Sequence, residues 1–418
     1  MRRICLTVIG LFLMFVSAFS QSSYPIPTDE EYQRRKLTLE ETNLISSYYT
    51  QTGNHSAITG GIGTQKLTDV SNIISLRFVK WDLSERKHSL DFELGIDHHT
   101  AASSANVSKT GASKAGGTRF YPSISWKVEN DARRSSFGIG AAYSSEYNYH
   151  SYGVNAQFSK TSRDKNREFD VKTQLFFDRV KLIEPSEFTP VVSQTVNTVT
   201  TASGRVIRSS SNSGASSGIP SSSRNTIATS LSLSQVVNKR MQVAFMGDAV
   251  AQQGYLGLPF HRVYFTDNSV HIENLPNTRF KFPAGVRLNY FAGDKLIFRT
   301  YYRYYTDSWG VTAHTASIET VVKLTPFVSV SPFYRYYVQT AANYFAAYAT
   351  HTAADAYYTS NYDYSAFTSQ TIGVNLRIAP PKGVFGAERF SLLEIRYANY
   401  HQTTGLQANN ISVNFRFK

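Results

Sequence analysis

The sequence predicts an all-β fold, a transmembrane antiparallel up-and-down β-barrel of about 16 strands. Three observations predict it: an N-terminus built for export, aromatic-rich segments with a period of two along most of the chain, and a last segment that alternates up to the carboxyl end. In that last segment Ile411, Val413, Phe415 and Phe417 share one face of a strand, and Ser412, Asn414 and Arg416 the other. Lys418 follows the final aromatic residue.

Arg2 and Arg3 precede an apolar run from Ile4 to Val16, and Ser17, Ala18 and Ser20 supply small residues around a cleavage point expected after Ser20. The run is shorter than the roughly 20 residues of a spanning helix, and a polar segment follows it. Cleavage removes Cys5, the only cysteine, so the mature chain forms no disulfide and no thiolate metal site. The expected organisation is a signal peptide over 1–20, a periplasmic lead-in over 21–40 and a barrel over 41–418.

Composition fits this division. The chain has 27 Tyr and 27 Phe among 418 residues, yet no later stretch is apolar and long enough for a helical span. Lipid-facing strands with interfacial aromatic girdles give that mixture. The net charge of +13 falls to +11 when Arg2 and Arg3 leave with the signal. No Lys/Arg run is denser than Arg34, Arg35 and Lys36, so the charge reads as lumen and loop charge rather than a phosphate-tracking surface, and no nucleic-acid partner is expected.

The strands follow from alternation. Leu90, Phe92, Leu94 and Ile96 alternate with Ser89, Asp91, Glu93, Gly95 and Asp97, a period no amphipathic helix produces. The pattern returns at Phe137/Ile139, Tyr152/Val154, Phe169/Val171, Phe280/Phe282, Ile318/Val322 and Ile372/Val374. Strands are expected near 41–51, 67–80, 87–99, 118–128, 135–147, 150–161, 167–181, 225–236, 240–252, 278–291, 295–308, 310–324, 327–340, 367–379, 389–401 and 407–418. Links after even-numbered strands are mostly tight turns, whereas 100–117, 182–224, 253–277 and 341–366 are long and polar. That asymmetry gives short periplasmic turns and long outer loops, and an even strand number leaves both chain ends periplasmic. Pro122, Pro283 and Pro332 fall inside expected strands, where a missing N–H predicts a bulge or a strand end. The serine-rich stretch from Ser209 to Ser223 predicts a flexible outer loop.

On this parity Asp91, Glu93 and Asp97 point inward on one early strand. Arg287, Arg299, Arg303, Glu319, Arg335, Arg377, Glu394, Arg396 and Arg416 point inward on later ones. Symmetric hairpins would set Arg287 opposite Arg299, and Arg299 opposite Glu319. An acidic patch facing a basic ladder would put a transverse field across a lumen and bias the solutes that pass; the alternative is that these charges pair and simply tie the wall together. Tyr302, Tyr304, Tyr334 and Tyr336 would face lipid at one interface, with Trp81 and Trp126 near the other.

Histidines near the outer rim (His261, His271, His314 and His351) have Asp267, Glu273, Asp307, Asp355 and Asp363 for company. A His–Asp pair beside a serine can support hydrolysis. HExxH does not occur, GxSxG is matched only by Gly214 to Gly218 inside the serine-rich stretch, the adjacent His98 and His99 point to opposite faces, and Gly60, Gly61 and Gly63 lack the lysine of a phosphate loop. No enzyme, cofactor or metal is expected. Phe260, His261 and Arg262 lie in a loop too aromatic and basic for a solvated link, which predicts a segment folded into the barrel as a constriction or plug, or packed on its rim.

Several segments resemble a known family: Leu44 to Tyr49, Gly60 to Thr64, Pro259 to Phe265, His314 to Ala316, Pro332 to Tyr336 and Thr340 to Phe345. It is an uncharacterised family of exported barrel-like proteins of Gram-negative bacteria, catalogued as a domain of unknown function. The resemblance spans essentially the whole mature chain and implies an outer-membrane barrel without an established activity. The ending on an aromatic strand likewise resembles barrels whose last strand is read by the barrel-assembly machinery. Outer-membrane lipid and that machinery are the expected partners. The leading expectation is a passive porin-like channel for small polar or anionic solutes. The alternative is a plugged barrel acting through its outer loops, as an adhesin or within a secretion or redox assembly.

Overall fold

In the computed structural model the described residues are 36–100, 117–146, 149–181, 197–200, 206–209, 221–258 and 260–418. The expected signal peptide and most of the lead-in lie outside them. Sixteen antiparallel strands close into one barrel. They are β1 (Thr38–Thr52), β2 (Leu67–Trp81), β3 (Lys87–His99), β4 (Thr118–Asn130), β5 (Ser135–Glu146), β6 (Tyr149–Thr161), β7 (Arg167–Lys181) and β8 (Ser221–Asn238). The second half has β9 (Met241–Gly254), β10 (Thr278–Ala292), β11 (Leu296–Asp307), β12 (Thr312–Lys323), β13 (Val328–Gln339), β14 (Phe367–Ile378), β15 (Phe390–Gln402) and β16 (Gln407–Phe417).

Each strand pairs with its neighbours in sequence, and β16 closes the ring on β1 from Thr42↔Phe417 to Thr52↔Gln407. Closure removes the unpaired edges that an open sheet exposes, the condition for strands to cross a bilayer. The outer surface shows what such a barrel offers lipid. Phe92, Leu94, Ile96, Phe137, Ile139, Tyr152, Val154, Phe158, Phe280, Phe282, Ile318, Ile372 and Val374 are all exposed. Their alternating neighbours are polar, charged or glycine, with Pro283 as an exception, and line the inside, so this is an apolar-out, polar-in wall of the outer-membrane type. Tyr302, Tyr304, Tyr334, Tyr336 and Trp126 are exposed on the outer face; Trp81 is half-buried, with the Lys87 ammonium 5.7 Å from its ring.

Strand boundaries differ from the expected ones where propensity is weak. Thr38, Leu39 and Glu40 begin β1 instead of ending a lead-in, and Ser221 to Arg224 begin β8 instead of ending a loop. Serine has little intrinsic strand preference, but the full ladder of β7 from Ser221↔Lys181 onward recruits it.

The prolines depart from expectation in an instructive way. Neither Pro122, Pro283 nor Pro332 marks a bulge or a strand end. Pro122 pairs across from Leu94 of β3, while toward β5 the ladder lapses between Phe120↔Ser145 and Ser123↔Ala142 without a change of register. Pro283 and Pro332 do the same, keeping Tyr305 and Val374 as partners on one side and opening a short gap on the other. In a closed barrel both neighbours fix the strand, so a missing N–H opens the ladder locally instead of shifting it. Register shifts occur elsewhere, at Leu39/Glu41, Val236/Asn238 and Phe390/Leu392.

Candidate functional site

The twelve inward positions read from the sequence, from Asp91 to Arg416, alternate with the exposed apolar residues of their strands, and the register decides which meet. Arg299 stands opposite Glu319 and donates to it at 3.0 Å, with Arg396 at 3.9 Å on the other carboxylate oxygen. Arg287 is not opposite Arg299. Its partner is Tyr301, whose ring lies 5.8 Å from its guanidinium, and Arg299 instead faces Asn289. The turn 293–295, with Gly293 at φ 73°, sets a register two residues off the symmetric hairpin. Arg377 stands opposite Glu394, but the carboxylate takes its 2.6 Å hydrogen bond from Asn375.

The early strands hold their acids more tightly. Arg77 Nε donates to Asp91 at 2.6 Å, Ser75 to Glu93 at 3.3 Å, and Tyr121 to Asp97 at 2.7 Å. Tyr121 reaches Asp97 by lying flat over Gly95, its cross-strand partner, where a Cβ would come within 2.0 Å of the ring. A side chain at 95 would push the tyrosine off and leave Asp97 to Ser71, which also donates to it. Among the described residues no carboxylate is within ion-pairing distance of Arg287, Arg303, Arg335 or Arg377.

One mouth of the barrel is built from three connections that pack on one another: 53–66, 255–277 and 340–366. The loop flagged for its aromatic and basic content is at the centre. Arg262 Nη1 donates to the Ile58 carbonyl at 2.9 Å, so it ties the second connection to the first. His55 stacks on Tyr362 at 3.7 Å and 16°, tying the first to the third. Glu273, 5 % exposed, takes hydrogen bonds from Leu258 N at 2.8 Å and from the hydroxyl of fully buried Thr359 at 2.5 Å. His261 Nδ1 lies 3.6 Å from Glu273 Oε2, and Phe260 packs edge-on against the His261 ring at 5.0 Å. Burial pushes the Glu273 carboxyl up, but the His261 ring beside it and the hydrogen bonds from Thr359 and Leu258 outweigh it and leave the group below its ordinary value. A short ribbon, Arg262–Tyr264 with Val270–Ile272, and the Phe265, His271 and Tyr358 rings stiffen this centre.

Two features escaped sequence reading. One is a buried anchor at the end of β11. Arg279 donates to Asp307, which also accepts from Tyr305 at 2.7 Å, Trp309 N at 2.9 Å and Val311 N at 3.1 Å; the guanidinium lies 4.3 Å from the Trp309 ring. The other is a repeated pair, Tyr-x-Gln, at the ends of β1, β13 and β15 nearest this mouth. Tyr49 donates to Gln51, Tyr337 to Gln339 and Tyr400 to Gln402, at 2.8, 2.6 and 2.8 Å. Holding the amide oxygen turns the NH₂ toward the loops: Gln51 Nε2 donates to the Gln65 carbonyl, and Gln339 Nε2 to the Asp363 and Ser365 carbonyls. The recurrence is visible in the sequence; its partners are not.

The rim histidines are spent on packing. His351 is buried between the Asp355 carboxylate, 3.3 Å from Nδ1, and the Thr359 carbonyl, 3.1 Å from Nε2. His271 meets Ser269 at 3.0 Å, and His314 meets Tyr302 at 2.7 Å on the lipid-facing side. No group of metal-ligating side chains occurs among the described residues.

Residues 95–412 match the family described as "Protein of unknown function (DUF3570)". No curated protein matches the chain. Solved structures similar to it include a bacterial polysaccharide outer membrane secretin, at 10 % identity and TM-score 0.43, covering 90 % of this chain and 98 % of that one. OccD3 (OpdP) of Pseudomonas aeruginosa has 7 % identity and TM-score 0.43 over 92 % and 93 %. The outer membrane channel DcaP of Acinetobacter baumannii has 10 % identity and TM-score 0.39 over 91 % and 96 %. The family match covers more than half of the sequence, so the chain belongs to the DUF3570 family.

Proposed function

We propose that this DUF3570 barrel is a passive channel of the outer membrane for small polar or anionic solutes, narrowed at its outer mouth by the packed loops. The observation that carries the reading is the inner wall of β10 to β14, where Arg287, Arg303, Arg335 and Arg377 face inward with no carboxylate in contact among the described residues. A barrel of this strand number is wide enough for water, and a wall with surplus cations raises the local concentration of anions. The exposed aromatic exterior would meet lipid, β16 would present the assembly signal, and both ends would lie in the periplasm.

Refolding the mature chain into a planar bilayer tests this through conductance and the reversal potential in a salt gradient. A steady open current with anion preference is the expected result. A silent, inserted barrel overturns passive diffusion.

The interlocking of the loops through Arg262, His55, Glu273 and Thr359 favours a second reading: a barrel closed at its mouth that works through its outer surface, as an adhesin or within a secretion or redox assembly. Deleting 256–268 separates the two. A constricted pore conducts before the deletion and gains current after it, whereas a barrel closed at its mouth is silent before it.

A further inference from the structure

At the end of the barrel opposite the packed loops, every connection but one is a short turn. Connections 82–86, 131–134, 162–166, 239–240, 293–295 and 324–327 are brief, whereas β14 and β15 are joined by 379–389. That longer segment is stiff. Pro380 and Pro381 restrict its start, and the backbone N–H groups of Gly383, Gly386 and Ala387 donate at 3.1 Å to the carbonyls of Pro380, Gly383 and Val384. Gly383 has φ 80°, and a Cβ there would strike the Ala387 carbonyl. Val384 is 1 % exposed, so the segment is packed instead of looping out into water.

With the ends of β14 to β16 this segment lines a cleft of about 280 Å³, close to the lower bound of small-molecule sites. Arg377 of β14 and Arg416 of β16 both line it. Arg416 Nε donates to Asn43 of β1 at 3.1 Å, with Glu41 at 3.5 Å, which fixes the guanidinium and leaves its Nη atoms donating to no described residue. Arg377 stands opposite Glu394, yet Asn375 takes that carboxylate, and among the described residues none is within ion-pairing distance of Arg377. Two guanidinium forks therefore keep unspent donors in one small space. Pro380, Pro381 and Leu392 give the cleft an apolar wall. Lys418 and Glu388 add one charge of each sign, and among the described residues neither is in an ion pair.

We infer that this cleft binds a small phosphorylated polyol. A phosphoryl group matches the fork of a guanidinium and offers three acceptor oxygens to both arginines at once. A lone carboxylate, with two oxygens, is saturated by one fork. The space beyond the phosphoryl group takes the carbon body against the proline and leucine wall, and Glu388 accepts from its hydroxyls. The site goes beyond the channel reading, because it holds a solute and needs no open lumen.

Isothermal titration calorimetry on the full mature barrel refolded in detergent tests it, with glycerol 3-phosphate, inorganic phosphate and glycerate as probes. Glycerol 3-phosphate should bind saturably, glycerate about tenfold more weakly, and inorganic phosphate in between. Arg377→Gln should weaken glycerol 3-phosphate about tenfold, the worth of one charge-assisted hydrogen bond. Arg240→Gln removes a cation from the 239–240 turn at the same end and should leave the affinity unchanged. Heat-modifiable gel mobility reports that each variant has closed into a barrel. Arg377→Lys keeps the charge, loses the fork, and should fall between the wild type and Arg377→Gln. The site is overturned by the absence of saturable heat, by glycerate or inorganic phosphate binding as tightly as glycerol 3-phosphate, by an unchanged affinity in Arg377→Gln, or by an equal loss in Arg240→Gln. None of these results bears on conduction, which the bilayer current decides separately.

Discussion

Strands β2 to β4 and strands β10 to β14 line the same barrel but handle inward charge in opposite ways. In the first region Asp91, Glu93 and Asp97 are each held by a neighbouring guanidinium or hydroxyl. In the second, Arg299 is paired with Glu319, whereas Arg287, Arg303, Arg335 and Arg377 have no such partner among the described residues. The difference teaches that charge count on a wall says little about function. A charge already satisfied by its wall stiffens it, and only an unsatisfied one is available to a passing solute.

The largest effect should come from reversing the unsatisfied charges. Arg303→Glu with Arg335→Glu should change the sign of the reversal potential in a salt gradient, and an unchanged sign would place the selecting field elsewhere. Arg299→Glu should do less for permeation and more for structure, since it sets two carboxylates against each other at Glu319. Next is the mouth. Glu273→Ala removes the acceptor for Leu258 N and Thr359 Oγ1, and leaving buried donors unpaired costs about 1–3 kcal/mol each. Hydrogen exchange over 255–277 and 340–366 should accelerate while the strands stay protected; equal protection throughout would mean the loops stand without it.

The mouth should also respond to acid with a definite sign. Glu273 has its carboxyl lowered in the folded cluster, so it stabilises the loops above its unfolded pKa, and this contribution is lost as pH falls through the lower folded value. Loop exchange should therefore rise below about pH 4. Asp363, raised by burial, works the other way, and protonation relieves it. The Glu273→Ala variant isolates the first effect, because the acid-dependent loosening should disappear with it. The smallest change is expected on the satisfied side. Arg77 and Asp91 are both partly solvated, so breaking their pair with Asp91→Asn should cost less than about 1 kcal/mol and barely move the reversal potential.

The architecture was legible because a barrel wall is a local code. Alternation at Phe92, Leu94 and Ile96 places Asp91, Glu93 and Asp97 on the opposite face whatever the rest of the chain does. The order of strands follows from tight turns joining sequence neighbours. The run from Ile411 to Phe417 is likewise readable as a closing strand, since its face is set by the same period of two.

What the sequence determined by itself is therefore the closed sheet and the inward or outward sense of each side chain, both consequences of two-residue geometry. What only the tertiary structure decided is who meets whom. Register placed Arg287 beside Tyr301 and away from Arg299, because a turn only a few residues long shifts every pair along its hairpin. The mouth lay further out of reach. Glu273 meets Thr359 across 86 residues and Arg262 meets Ile58 across 204, contacts that no periodicity encodes, because irregular loops find their partners only after the wall has brought their ends together.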